Sequence, residues 1–329
     1  LLLVLPLDNL RRLLEFPGAY SNFPRAFQRA ANREKPFDAK PGFPRLEKVE
    51  IEQWDDDDYI HPSTVLPFFR FPSMRVLIAS GVVETSFEID KHLSQLPLPG
   101  SSSITYMNLW YSNGCYGMRD LISSCANLEC FYNHADTHML GQRFRPSVFF
   151  DSLAPAKKSL RSLWLDYCWY HIAEDIEDPD TPHIDRFGSL ADFPKLREVR
   201  IRLRNLLDIR PGPGGDAVVT TPLIDILPSS IEWLYIEDCK EKYAPILVSQ
   251  LQDLVSHRRT RVPRLARLDI QGQFHQKQPD EYTIWPGFHL KPELHELIDP
   301  LCDACQEAGI EFFVRDHTCR SSMEGIPMC

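Results

Sequence analysis

Cys302-x-x-Cys305, with His317 and Cys319 beyond it, is the nearest approach to a metal-ligand constellation in this sequence. Thiolates and imidazoles at short spacing suit tetrahedral zinc. Cys305 also falls on an apolar stripe with Leu294, Leu297, Ile298 and Leu301, where a free cysteine acts as a small core residue, and this second reading is preferred. Asp55 to Asp58 set four carboxylates in a row that a hard cation could use. Neither the glycine nor the closing glutamate of a calcium loop accompanies them, so a solvated acidic turn is expected. The glycine cluster Gly212-Pro213-Gly214-Gly215 lacks the lysine of a phosphate-binding loop. Neither Gly-x-Ser-x-Gly nor His-Glu-x-x-His occurs. No catalytic residue, metal or cofactor is assigned, and the expectation is a chain that is not an enzyme.

The bulk properties narrow the partners. With 46 acidic against 36 basic residues the net charge is −10, which repels nucleic acid. Nine cysteines, an odd number spread through 329 residues, are unlike the dense even framework of a small secreted domain, so reduced thiols are expected. No Asn-x-Ser/Thr acceptor is present, and the apolar start Leu1 to Leu7 is too short to span a membrane. These features point to an intracellular protein, cytoplasmic or nuclear, with no membrane contact. A start at leucine reads as a piece of something longer.

One pattern recurs through the chain. A Leu-x-x-Leu-x-Leu unit starts at Leu46, Met74, Ile104, Leu128, Leu160, Leu196, Ile231 and Leu265, and several copies are introduced by Phe-Pro, as at Phe43-Pro44 and Phe71-Pro72. The starts are separated by 28, 30, 24, 32, 36, 35 and 34 residues, about 31 on average, where repeats of this kind run roughly 20–29. Weaker copies flank the set at Leu10-x-x-Leu13 and Ile310-x-Phe312-x-Val314. Asn133 stands where the fourth copy should bury an aliphatic side chain, and a buried amide needs partners.

Each unit reads as one short strand, because its later apolar residues alternate at period two. Between strands the spacing turns helical: Leu247, Leu251, Leu254 and Val255 share a face, as do Met118, Leu121, Ile122 and Cys125. Strand and helix alternating every thirty or so residues predict an α/β solenoid, a curved parallel sheet lined by helices on its convex side. The alternative is a doubly wound α/β domain, but that fold predicts a glycine-rich phosphate turn that is missing. A single domain is expected over 1–329, with the clearest repeats between 40 and 314, a first repeat or cap over 1–39 and a tail over 315–329. Segments 171–192 and 205–222, rich in Pro, Gly, Asp and Glu, are expected to be surface loops.

The openings Phe43-Pro44-Arg45-Leu46 and Phe193-Pro194-Lys195-Leu196, the segment Arg29 to Asp38 and Val65-Leu66-Pro67-Phe68-Phe69 resemble the leucine-rich-repeat region of filamentous-fungal F-box-type proteins. The resemblance implies a non-catalytic substrate-recognition arm of a ubiquitin ligase. It also implies contact with the ligase adaptor through a region upstream of this chain. Leu5-Pro6 is similar to the opening of an F-box, but no second half follows, and Leu10 and Leu13 fit a first repeat instead. An intracellular scaffold with no ubiquitin role, or an α/β enzyme, are the other readings.

Side chains that alternate with the buried ones should line the inner surface and meet a protein partner. Tyr106, Trp110, Tyr132, Trp164, Arg200, Arg202, Trp233, Tyr235 and Arg267 are the expected contacts, since Trp, Tyr and Arg dominate interface energies. Asn108, His134, Asp166, Glu237, Asp269 and Gln271 share that surface. The competing reading is that these aromatics pack on one another and only close the sheet. Arg197, Arg200, Arg202 and Arg204, with the run His257 to Arg261, could mark a basic end for an acidic partner, or form a solvated face.

Overall fold

The computed structural model describes residues 12–17, 23–40, 42–52, 60–84, 97–135, 145–167, 185–212, 217–272, 274, 290–316 and 326–327. They fall in two compact units, Leu1–Phe187 and Gly188–Cys329. In the first unit β1 (Arg12–Pro17), β2 (Lys48–Glu52), β3 (Val76–Ser80), β4 (Tyr106–Ser112), β5 (Cys130–Ala135) and β6 (Ser162–Tyr167) lie side by side in chain order, each pair parallel. The strands of the second unit are β7 (Glu198–Arg202), β8 (Ile209–Pro211), β9 (Ala217–Val219), β10 (Trp233–Cys239), β11 (Arg267–Gly272), β12 (Glu311–Asp316) and β13 (Ile326–Pro327). There β7, β10, β11 and β12 are parallel neighbours, β13 adds antiparallel to β12, and β8 and β9 form a separate antiparallel hairpin.

Every one of the eight copies yields a strand that begins two residues after its first apolar position. The first, fourth and sixth positions of all eight are at most 1% exposed. Those positions stack in columns: Val49 lies opposite Leu77, Leu77 opposite Met107, Met107 opposite Phe131 and Phe131 opposite Leu163. Full burial of one such side chain is worth about 1.5–3 kcal/mol, so three per repeat hold each strand against its neighbours. The flanking alternation at the end of the chain also folds as a strand, with Phe312 opposite Leu268 and Val314 opposite Ile270.

A backbone ladder sets the register. In six of the eight copies the carbonyl after the first position accepts two N–H groups from the next repeat, as for Glu47 from Arg75 (2.8 Å) and Val76 (3.0 Å), Arg75 from Thr105 and Tyr106 (both 3.0 Å), and Arg197 from Glu232 (2.7 Å) and Trp233 (2.9 Å). A slip by one residue would turn every apolar column outward. Serines add to this ladder, because Ser103, Ser159 and Ser230 donate Oγ–H to the carbonyls of Met74 (2.8 Å), Leu128 (2.7 Å) and Leu196 (2.7 Å). Each of these serines sits just before a first position, a sequence signal that the apolar pattern alone overlooks.

The Phe-Pro openings have a local cause. Phe43, Phe71 and Phe193 are buried, and their carbonyls accept the N–H of Leu46 (3.2 Å), Met74 (3.2 Å) and Leu196 (3.1 Å). The proline in between presets the turn that these bonds close. Connections then differ between units. In the second unit, Ala244–Ser256 and Pro292–Ala308 are full helices, and Leu247, Leu251, Leu254 and Val255 are buried as expected. In the first unit the helices at Pro62–Val65, Arg119–Ser124 and Pro146–Ser152 have seven residues or fewer. Repeats of 24 to 32 residues leave little chain for more than two turns.

Two expectations are corrected. Residues 205–222 do not form a plain surface loop: Leu206 and Leu207 are buried behind a helical turn at Leu203–Leu206, and the rest is shaped by the β8–β9 hairpin. Leucines inside a Pro- and Gly-rich stretch pull the backbone onto the core. Likewise Phe187 and Leu190 are buried within the segment expected to be extruded over 171–192, of which 171–184 lies outside the described residues.

Candidate protein-docking faces

On the first unit the open side of the sheet carries an aromatic cluster. Tyr132 lies opposite Trp164, with ring centroids 4.7 Å apart, and Tyr106 meets Tyr132 edge-on at 5.2 Å. One row further along, Trp110 lies opposite His134 at 5.6 Å, and His134 Nδ1 pairs with Asp166 Oδ1 at 2.5 Å. The rings therefore pack on one another. They are not covered: Tyr106, Tyr132 and Trp164 remain half-buried, and Trp110 is 43% exposed.

The second unit presents a different surface. Asp269, fully buried on β11, accepts hydrogen bonds from Trp233 Nε1 (2.6 Å), Arg267 Nε (2.7 Å) and Arg315 Nε (2.7 Å). Arg200 pairs with Glu237, and Arg202 Nη2 with Asp238 at 2.5 Å. Guanidinium groups lie over aromatic rings: Arg267 over Trp233 at 4.7 Å and Phe313 at 4.6 Å, and Arg200 over Tyr235 at 4.7 Å. Each stack adds roughly 0.5–2 kcal/mol. Trp233, Arg200, Arg202 and Arg267 keep part of their surface, but Tyr235 is only 1% exposed and its hydroxyl donates to Gln271 Oε1 at 2.8 Å. Tyr235 is thus a platform beneath Arg200, not an open contact.

The basic residues read as one charged end are divided among separate contacts. Arg197 pairs with Glu232, Arg261 with Asp225 and His257 with Asp253, while Arg258 Nε donates to the Leu265 carbonyl and Arg204 lies over Tyr243. Exposed pairs of this kind are worth about 0–1 kcal/mol.

The zinc reading gains no geometry. Cys305 is fully buried on the apolar side of its helix, Cys302 is disulfide-bonded, and His317 and Cys319 lie outside the described residues, as do Asp55 to Asp58. The disulfide at Cys302 departs from the expectation of reduced thiols. Burial pushes the thiols of Cys115, Cys125 and Cys305 up to about 12, which makes them packing groups and not nucleophiles. Among the described residues no group of three or more His, Cys, Asp or Glu could hold a metal ion, and no helix is long and apolar enough to cross a membrane.

Sequence reasoning missed one cluster. Glu84, just past β3, accepts N–H groups of Tyr116 (2.9 Å) and Met118 (3.1 Å) on its carboxylate, and its own backbone clasps Asn113 in both directions at 2.9 Å. Glu84 is half-buried, and desolvation of its carboxyl raises the pKa to about 7 against those two hydrogen bonds. A carboxyl whose folded pKa exceeds its unfolded value contributes stability below the unfolded value and loses it as pH rises through the folded one. The first unit should therefore be more stable at pH 5 than at pH 8, by on the order of 2 kcal/mol. Glu84→Gln should flatten that part of the profile in denaturant titrations. An unchanged slope would show that Glu84 is not the group responsible.

A family model described as a leucine-rich repeat domain matches residues 2–275, most of the chain. The chain belongs to the leucine-rich repeat family. Its eight copies are the leucine-rich repeats, and the two aromatic faces above are the open sides of their strands. Leucine-rich repeat domains serve as protein-interaction modules, which is the class of function that the family assigns here. No curated protein matches the chain.

Proposed function

We propose that this leucine-rich repeat chain is a non-catalytic docking module that binds a protein partner on the open sides of its strands. The observation that carries this reading is the row Tyr106, Tyr132 and Trp164 with Trp110 beside it, all on the side of β4 to β6 that the core does not use. Large aromatics on a solvent-facing sheet give contact area at low entropy cost and are typical anchors of interfaces. In the second unit Arg200, Arg202, Trp233 and Arg267 would contact the partner, with Tyr235 supporting them from below.

Photo-cross-linking from position 132 should trap one defined protein, and Trp164→Ala should weaken its capture at least tenfold while the melting temperature changes little. Trp164→Ala that stays folded and binds as before would refute the reading. Trp233 is a poorer probe, because its indole N–H supports the buried Asp269.

The finer assignment is substrate recognition for an F-box-type ubiquitin ligase, with the adaptor bound through sequence upstream of Leu1. It rests on the fungal F-box resemblance of the Phe-Pro openings and of the Arg29 to Asp38 segment. The product of the extended gene should co-purify with a cullin adaptor. A stable product that ignores the adaptor would leave a scaffold with no ubiquitin role.

A further inference from the structure

We infer that a pocket at the N-terminal edge of β3 to β5 binds a phosphate monoester, with Arg75 as the counter-charge and Ser101, Thr105 and Asn127 as further hydrogen-bond donors. The site is independent of the docking reading above and lies at the other end of the strands from Trp110. The pocket holds about 300 Å³, at the small end of the roughly 300–1,000 Å³ of ligand sites. Its lining is one arginine, one asparagine, one alanine and four hydroxyl side chains, with no carboxylate and no large apolar residue. Such a wall has nothing to hold a cation and little for an apolar ligand to bury against.

The backbone ladder explains why Arg75 is open to an anion. The residues that follow the first apolar positions form a row across the first unit, in the order Glu47, Arg75, Thr105, Glu129 and Arg161. Other arginines at this position receive a carboxylate from an adjacent repeat: Arg161 from Glu129 at 3.4 Å, and Arg197 from Glu232 at 3.5 Å. For Arg75 the next repeat supplies Thr105 in place of a glutamate, and Glu129 beyond it is already paired with Arg161. Glu47 stands in the preceding repeat, but Arg75 Nη1 donates instead to the carbonyls of Met74 (2.9 Å), Pro72 (3.3 Å) and Ser103 (3.3 Å). Among the described residues no carboxylate lies within ion-pair distance of Arg75, and its Nε and Nη2 have no hydrogen-bond partner. A guanidinium edge with two free donor nitrogens matches the geometry of a phosphate.

The pocket is held in shape before any ligand arrives. Ser103 Oγ donates to the same two carbonyls as Arg75, those of Met74 (2.8 Å) and Pro72 (3.0 Å), which ties the serine loop to the guanidinium. Ser102 donates its N–H to the Ser124 carbonyl (2.8 Å) and accepts the Ala126 N–H on its own carbonyl (2.9 Å), fixing the turn that carries Asn127. The hydroxyls of Ser101 and Thr105 and the side-chain amide of Asn127 make no hydrogen bond to the protein among the described residues. Together with Arg75 they offer more donors than the roughly four lone-pair sites of a carboxylate can use. A phosphate monoester brings three strong acceptor oxygens and about −1.5 to −2 charge at neutral pH. A neutral polyol would engage the hydroxyls and leave Arg75 without a counter-charge. A phosphorylated serine of a partner and a small free phosphate ester present this same group.

Calorimetric titration of the whole chain with glycerol 2-phosphate, and with a short glycine-alanine peptide carrying one phosphoserine, tests this. Glycerol, the unphosphorylated peptide and the same peptide with glutamate at the phosphoserine position are the controls. At least one phosphorylated probe should bind about tenfold or more tighter than every control. Arg75→Gln should weaken that binding about tenfold. Asn127→Ala, at an exposed position, should weaken it several-fold with unchanged circular dichroism. Tighter binding of the phosphopeptide assigns the phosphate to a protein partner, tighter binding of glycerol 2-phosphate assigns it to a free ester, and either result supports the site. Absence of binding, a control that binds as tightly as the phosphorylated probes, or phosphate binding that survives either variant unchanged overturns the inference. If Arg75→Gln does not fold, Asn127→Ala decides by itself. Cross-linking from position 132 bears on the docking reading alone, so the two can fail separately.

Discussion

Replacing Asp269 by alanine is expected to cost the second unit about 3–5 kcal/mol. The carboxylate is fully buried and collects three donors. Arg315, itself 2% exposed, already has one nitrogen, Nη1, with no hydrogen-bond partner. Without Asp269 it would lose the carboxylate that its Nε donates to. Arg267 suffers less, because it is partly exposed and lies over Trp233 and Phe313. The sharper version pairs the two residues: Asp269→Ala with Arg315→Met should recover much of the loss, since removing both charges leaves neither stranded. Hydrogen exchange in β10 to β12 would locate the damage. A single mutant less than about 1 kcal/mol less stable than the parent would show that water reaches Arg315 and that the cluster is not sealed.

The second large effect has the opposite sign. Asn133→Leu should raise the stability of the first unit by about 1–3 kcal/mol. Asn133 is 1% exposed, and neither Oδ1 nor Nδ2 has a partner. Its register neighbours on both sides are leucines, Leu109 on β4 and Leu165 on β6. Leucine at 133 would complete that column and replace two stranded polar atoms with a side chain that its neighbours already accommodate. Thermal melting compared with Asn133→Ala separates the contributions, because alanine removes the amide but leaves a void. Loss of stability in the leucine variant would mean that the site is too tight, or that the amide holds a buried water.

The eight strands were legible because each needs three buried positions at fixed spacing, and apolar residues at positions one, four and six cannot be placed otherwise on a half-buried strand. Asn133 is instructive in this respect. The pattern marked it as out of place, and the structure leaves its amide without partners. The strands' outward residues were legible as a set, but not in their condition. Tyr235 and Trp110 both alternate outward from their cores, yet one is sealed beneath Arg200 and the other stands open. That difference depends on what the neighbouring repeat supplies at the same register, which no local window contains.

The same limit applies to the polar clusters. Arg197, Arg200, Arg202 and Arg204 look like one basic patch in sequence, but each of the four faces a carboxylate or ring in the next repeat, at Glu232, Glu237, Asp238 and Tyr243. Glu84 gave no signal, since its role comes from backbone N–H groups presented by a left-handed turn in the next repeat. Sequence by itself determined the repeat, the parallel strands and their buried columns, because hydrophobic periodicity is a property of neighbouring residues along the chain. Tertiary structure decided which outward aromatics are open, which arginines are neutralised and where a carboxyl is desolvated, because burial and charge pairing act between residues of adjacent repeats brought together by folding.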